Sequence, residues 1–291
     1  MKAEVKSNMR IIGIVKIAVI LLIDFSLIYY TLGIEAAIAI IACMMLYAWL
    51  GEYIALLKDG AIGVNNLNDY EKTKLIRAHT CLTEDVKRVE GTDISKLKLH
   101  IIPSEDINAF CYGFNNVAIT RSALNACDDM TLCSVLGHEI SHLLSLDAVV
   151  NRLIFANVTC AILGLAISSF ISISFLWIIF IVLCVCGICG GVLSMYVFHG
   201  VRKLVKGLFS VFQYLILFFY QVAMGIASRA CEFRSDRFSC ELGYGAQLSY
   251  FLTRFIEGQE TRQKSLNEIL YASHPATYKR VLRIEQHGRD N

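Results

Sequence analysis

Long apolar stretches alternate with polar stretches along this chain, and the apolar stretches give the first prediction. Five apolar segments stand out, at Ile11–Leu32, Ala36–Leu57, Leu153–Ile171, Leu176–Phe198 and Leu208–Ile226. Each is close to the roughly 20 residues that an α-helix needs to cross the hydrocarbon core of a membrane. The pattern predicts an α-helical membrane protein with about four transmembrane helices.

The polar stretches predict a domain outside the membrane. The stretch at 58–147 contains a charged helix at 69–89 and two short strands at 96–102 and 116–120. A further helix begins after Asp128 or Asp129, which are good helix N-caps, and runs from Thr131 to about Ala148. This mixture of helices and strands predicts an α+β domain.

Composition agrees with a membrane protein and excludes one large class of partner. Apolar residues make up 56 % of the chain and charged residues 18 %, against about 45–50 % and about 25 % in soluble domains. The net charge of +2 is too small to indicate nucleic-acid binding. Three cysteines lie together at 184–189 without a second pair of ligands, so we interpret them as small residues of an apolar helix.

The distribution of basic residues predicts the orientation. Three basic residues lie within 1–10 and three more in a loop expected at 199–207, whereas the turns expected at 31–35 and 168–175 carry none. Basic loops face the cytoplasm. We therefore expect a multi-pass membrane protein with its polar domain in the cytoplasm. The expected membrane is the plasma membrane.

The first chemical motif is His138-Glu139-Ile140-Ser141-His142, an H-E-x-x-H pattern. On a helix, residues i and i+4 lie one above the other, so the two imidazoles can bind one Zn²⁺ ion. Glu139 lies beside them and can reach a zinc-bound water as general base. The alternative is a pair of histidines that merely share a helix face.

A catalytic zinc ion requires a third protein ligand and an open position. Metzincins would continue with glycine and histidine where this chain has Ser145 and Ala148, so that class is excluded. Asp147 lies on a different helical face from the histidines and is better placed as their hydrogen-bond partner than as a ligand.

A distant acidic motif can supply the third ligand. Glu232 and Asp236 are four residues apart, so a helix places both carboxylates on one face. Glu232 can bind zinc, and Asp236 can hydrogen-bond a ligand histidine. The alternative is a solvated charged turn beside Arg229 and Arg234.

With these motifs the chain resembles the HtpX-type membrane metalloproteases, bacterial relatives of the CAAX prenyl protease. Five motifs carry the resemblance in the family's order: Asn108–Phe110, Val117–Arg121, His138–His142 with Asp147, Ser228–Asp236, and His274-Pro275 with Arg280. The chain departs from these relatives by showing three apolar segments, instead of two, between the zinc helix and Glu232. Since both must reach one ion, an even number of crossings separates them, and we expect Leu208–Ile226 not to cross.

The resemblance implies a zincin-type catalytic domain with one Zn²⁺ per chain, membrane lipid around it, and protein or peptide substrates such as damaged or unassembled membrane proteins. It implies that His274 lies near the substrate and steadies the oxyanion, and that Arg280 pairs with Asp236. It also implies substrate-binding residues, namely Asn108, Ala109, Phe110, Val117 and Ile119. An extended substrate could pair with the edge of the strand at 116–120.

The predicted organisation has five regions: a transmembrane hairpin at 1–57, the first part of the catalytic domain at 58–152, a second transmembrane hairpin at 153–198, a basic loop with an interfacial or packed apolar helix at 199–226, and the second part of the catalytic domain at 227–291. Two other functions remain open. One is a site-2-type protease with its zinc inside the membrane, and the other is a non-enzymatic membrane scaffold or transporter. The sequence leaves the oligomeric state open.

Overall fold

The computed structural model describes residues 9–188, 191–256 and 275–290. Its helices are α1 Met9–Leu32, α2 Ile34–Lys58, α3 Asp69–Val89, α4 Arg121–Ala126, α5 Asp129–Leu144, α6 Asp147–Val185, α7 Val192–Glu241, α8 Gly245–Phe251 and α9 Thr277–Asp290. Its strands are β1 Ile62–Gly63, β2 Lys98–Ile102, β3 Ala109–Cys111 and β4 Asn116–Thr120. One 3₁₀ turn, Val64–Asn66, follows β1, and one π-helical turn, Leu252–Ile256, follows α8.

Among the described residues, four helices are long and apolar enough to cross a membrane. They are α1, α2, α6 and α7. The predicted number of about four transmembrane helices is confirmed, and so is the predicted combination of membrane helices with a small mixed sheet.

The second pair of membrane helices differs from the prediction. The turn expected at 168–175 is wrong, because α6 continues through it to Val185. That segment has neither glycine nor proline. The hydroxyls of Ser172 and Ser174 donate to the carbonyls one turn earlier at 2.8 Å, a local bond that a helix accommodates. The chain turns instead between α6 and α7, where Gly187 and Gly191 have φ angles of 71° and 134°, which glycine adopts readily.

The region expected as a basic loop, 199–207, is also helical and belongs to α7. Two helices, α6 and α7, therefore connect the zinc helix to Glu232 in place of the three separate segments expected. This removes the parity argument for keeping Leu208–Ile226 out of the membrane, since α7 as a whole is a candidate span.

The chain divides into two units, one containing Met1–Ile154 and Gly225–Asn291 and the other Phe155–Met224. The first contains a four-stranded sheet of order β1-β2-β4-β3, in which β2 and β4 are parallel and the other pairs antiparallel. The core lies between α3, α5 and the sheet, with Leu82, Leu136, Ile140 and Ile119 almost completely buried. The strands expected at 96–102 and 116–120 are confirmed as β2 and β4.

Helix α5 begins and ends at clear local signals. The Asp128 carboxylate accepts the Thr131 N–H at 2.7 Å, which is an N-cap as expected. The helix ends at Leu144 rather than continuing to Ala148. Leu146 then takes a φ of 54°, which is uncommon for a residue with a bulky side chain. Because α6 restarts at once, Asp147 lies immediately beside the end of α5.

Candidate metal centre

Helix α5 presents the two predicted histidines on one face. The ring centroids of His138 and His142 are 4.9 Å apart, and their Nε2 atoms are 3.3 Å apart. His138 is 6 % exposed, because the helix lies in the centre of the domain core. The H-E-x-x-H spacing thus brings two nitrogen donors to one buried point.

Helix α7 brings Glu232 to the same point. Its Oε2 lies 3.5 Å from His138 Nε2, and its Oε1 lies 3.5 Å from His142 Nε2. Small residues allow α7 to approach α5 closely here: the Ser235 hydroxyl donates to the Ser141 hydroxyl at 3.0 Å. Glu232 is 5 % exposed, so a buried carboxylate faces the buried imidazole of His138 and the partly buried imidazole of His142.

These three donors fit a zinc ion. Zinc binds nitrogen and oxygen at about 2.0–2.1 Å in a tetrahedron, which places neighbouring ligand atoms about 3.3 Å apart. The separations of 3.3 and 3.5 Å among the three residues agree with that edge length. His138, His142 and Glu232 are therefore the residues that would hold the ion.

A carboxylate faces the other nitrogen of each histidine. His138 Nδ1 lies 3.0 Å from Asp236 Oδ1, and His142 Nδ1 lies 2.9 Å from Asp147 Oδ2. Each contact directs the Nε2 atom of its histidine towards the metal position. Arg280 contacts both oxygens of Asp236, at 2.8 and 2.6 Å, so the expected Asp236–Arg280 pair is present.

The carboxylates raise the proton affinity of both imidazoles. Burial alone would lower the pKa of His142, but hydrogen bonds with Asp147 and Glu232 raise it to about 10. Burial would also lower the pKa of His138, but hydrogen bonds with Asp236 and Glu232 outweigh burial, and the pKa is raised. Since metal binds the neutral imidazole, zinc must displace protons from this centre.

Glu139 lies next to the ligands on α5. Burial raises the pKa of its carboxyl above the ordinary value, whereas the neighbouring histidines oppose that rise. A carboxylate with a raised pKa is suited to accept a proton and return it. This is the chemistry expected of a general base beside the metal.

The outer strand on the β4 side of the sheet is β3, and β4 itself is an inner strand. Strand β4 is hydrogen-bonded to β2 on one side and to β3 on the other, so the expected free edge at 116–120 is wrong. Val117 and Ile119 are completely buried and cannot present their side chains to a substrate. Phe110, on β3, is 37 % exposed. Strand β3 has three residues and β4 has five, which is too few for the alternation of apolar and polar residues to show which of them is the outer strand.

The other residues predicted to contact the substrate differ in where they lie. Asn108 precedes β3 and is joined to β4 through Thr120, whose hydroxyl accepts the Asn108 N–H at 3.1 Å. Ala109 is buried within β3. His274 lies outside the described residues. Sequence reasoning missed the contact of Lys16 with Asp147, in which the ammonium lies 3.6 Å from Oδ1; a lysine inside an apolar stretch was the available signal.

Comparisons with known proteins agree with this arrangement. The model of peptidase family M48 matches residues 79–287, a range that includes all three candidate ligands and Glu139. None of the curated proteins matches the chain. The crystal structure of S. mikatae Ste24p has a similar fold, with a TM-score of 0.51 and 18 % sequence identity. The match covers 96 % of this chain and 66 % of the length of Ste24p.

Proposed function

Because the chain belongs to peptidase family M48, we propose that it is a membrane-anchored zinc metalloendopeptidase with one Zn²⁺ held by His138, His142 and Glu232. The observation that carries the proposal is the convergence of two histidines of α5 and one glutamate of α7: the two Nε2 atoms are 3.3 Å apart, and each lies 3.5 Å from one oxygen of the Glu232 carboxylate. Such a set leaves one tetrahedral position open for chemistry, as catalytic zinc sites require.

The ion, when bound, supplies a Lewis acid that polarises the peptide carbonyl and lowers the pKa of water. Glu139 takes a proton from the attacking water and returns it to the leaving amine. Asp236 and Asp147 keep both ligand histidines oriented throughout, because each holds an Nδ1 atom. His274 remains the predicted donor to the oxyanion, as the family resemblance implies.

We propose that the substrate binds as an extended peptide along the outer edge of β3. An unpaired strand edge offers backbone N–H and C=O groups to a peptide, which gives affinity without a fixed side-chain sequence. Strand β3 packs on α5, the helix that carries Glu139. Asn108, Ala109 and Phe110 are the residues that would line this edge.

The natural substrates are proposed to be membrane proteins that are damaged or unassembled, since the family resemblance points to quality control. The catalytic domain is proposed to face the cytoplasm at the plasma membrane. Basic residues precede α1 in the sequence, which favours the cytoplasm for that end of the helix. The beginning of α1 contacts the zinc helix through Met9 and Ser141, so that end of α1 and the metal centre share one side.

The two other candidate functions are less well supported. A site-2-type protease has its H-E-x-x-H motif within a membrane span, whereas α5 is not among the candidate spans and lies in the domain core. A non-enzymatic scaffold would not need Glu139 beside the ligands. Measured proteolysis by the purified chain would exclude the scaffold.

The decisive experiment is Glu139→Gln in the detergent-purified chain. We expect proteolysis of a casein-like test protein to fall by about 10²–10⁴-fold, because the general base is lost. The zinc content should stay unchanged, since Glu139 is not a ligand. Glu84→Gln, an exposed change on α3, is the matched control and should keep full activity. Activity above about a hundredth of the unmodified protein would contradict the assignment.

A further inference from the structure

The first turn of α1 packs against the zinc helix. Met9 is 5 % exposed and belongs to the core of the unit that contains the metal centre, here called the catalytic unit. Its N–H donates to Glu90 Oε1 at 2.5 Å, and its sulfur accepts the hydroxyl of Ser141, inside the H-E-x-x-H motif, at 3.7 Å. The start of this candidate membrane helix is therefore part of the catalytic unit.

One turn later, Gly13 meets the junction between α5 and α6. A Cβ atom at this position would lie 2.6 Å from the carbonyl oxygen of Ser145 and 3.1 Å from Cβ of Leu146. The first distance is shorter than real Cβ atoms show, and its partner is backbone. Glycine thus allows α1 to lie directly on the two residues that separate the zinc helix from Asp147.

Lys16, further along α1, reaches Asp147, the carboxylate beside the ligand His142. Its ammonium lies 3.6 Å from Asp147 Oδ1, while Oδ2 of the same carboxylate faces His142 Nδ1 at 2.9 Å and also pairs with Arg234. The two oxygens of Asp147 thus have separate partners, one on α1 and the others on α5 and α7. A lysine in an apolar helix is costly unless it is paired, and Asp147 supplies the pair.

We propose that α1 is a positioning element of the zinc centre, in which Gly13 sets its approach to the α5–α6 junction and Lys16 holds Asp147 Oδ1 so that Oδ2 stays directed at His142. The inference rests on the proposed zinc site. It differs from a role for α1 as a simple anchor, because an anchor would affect insertion and overall stability but not the affinity for metal.

The test compares Lys16→Met with Lys16→Arg and Arg10→Met in the full chain in detergent. Arg10 is an exposed residue on the same helix and controls for loss of one positive charge. The zinc dissociation constant is measured by competition with a chelator, and the ligand field by the absorption spectrum of the Co²⁺-loaded protein. Neither measurement requires proteolytic activity.

We expect Lys16→Met to weaken zinc binding by about 3–10-fold, because losing a direct partner of a ligand histidine costs about 10–100-fold and Lys16 lies one contact further away. Its Co²⁺ spectrum should shift, Lys16→Arg should restore both properties, and Arg10→Met should leave them unchanged. Equal zinc affinity in Lys16→Met and Arg10→Met would overturn the inference. Absence of zinc binding in the unmodified chain would instead refute the proposed function.

A second pair of variants tests the contact of α1 with the junction. Gly13→Ala forces a shift at Ser145 and should weaken zinc binding, whereas Gly164→Ala, in another candidate membrane helix, has no atom within 4 Å of the added Cβ. A folded Gly13→Ala protein with unchanged zinc affinity would count against the inference. If Gly13→Ala does not fold, the lysine variants decide the question alone.

Discussion

Zinc binding should release a proton from His142 even in alkaline solution, and Asp147 should be the cause. The pKa of His142 in the metal-free protein is raised from its ordinary 6.5 to about 10: burial opposes the rise, and the hydrogen bond with Asp147 leads the groups that produce it. At pH 8.5 an imidazole with a pKa of about 10 is about 97 % protonated, and an ordinary histidine about 1 %. The metal must therefore displace a proton from His142 at a pH where a free histidine has almost none.

The same shift sets the sign of the stability change. A proton bound more tightly in the folded than in the unfolded protein stabilises the fold below pH 6.5, and this stabilisation is lost as the pH rises through about 10. At about 1.4 kcal/mol for each tenfold change in proton affinity, the full effect on the free energy of unfolding is about 5 kcal/mol. The metal-free protein should therefore unfold at lower temperature at pH 9.5 than at pH 7.

The assay is calorimetric titration of zinc into the metal-free protein at pH 8.5, in buffers with different ionisation enthalpies, which counts the protons released. Asp147→Asn should release fewer protons than the unmodified protein, with a difference that approaches one. Protons lost from other groups cancel in this comparison. Asp129→Asn, a half-exposed position at the start of α5 that pairs with Arg77 and not with a ligand, should match the unmodified protein. Equal proton counts for Asp147→Asn and the unmodified protein would refute the reasoning.

Two further predictions concern carboxylates of other helices. Glu232→Ala should lower the zinc content of the purified protein, whereas Glu241→Ala, an exposed acid further along α7, should not; equal zinc in Glu232→Ala and the unmodified protein would assign the third ligand elsewhere. Glu52, which is 2 % exposed on α2, accepts the Asn116 amide at 2.5 Å. Glu52→Gln should destabilise the protein by about 1.5–3 kcal/mol, the value of one charge-assisted hydrogen bond, as measured by denaturant unfolding. Glu35→Gln, exposed at the start of α2, is its control, and equal stability of the two variants would contradict this prediction.

Features of the site that depend on helical spacing could be predicted from the sequence. The pairs His138/His142 and Glu232/Asp236 are each four residues apart, and any α-helix brings such residues onto one face. The prediction that Glu232 joins the two histidines followed from chemistry, because a catalytic zinc ion needs a third ligand and the helix of the histidines supplies only two. The pairing of Arg280 with Asp236 followed from the family resemblance, and the structure contains it.

Features that depend on packing across the chain were decided only by the tertiary structure. The polar residues at 168–175 suggested a turn, but Ser172 and Ser174 donate their hydroxyls to carbonyls of the preceding helical turn, so α6 continues through them. Hydropathy alone does not distinguish these two outcomes. The outer position of β3 depends on strand order, which a three-residue strand does not reveal by alternation. The contact of Lys16 with Asp147 joins residues far apart in the chain. Local periodicity determines which side chains share a face of a helix, but the faces that meet are chosen by the close packing of the whole unit.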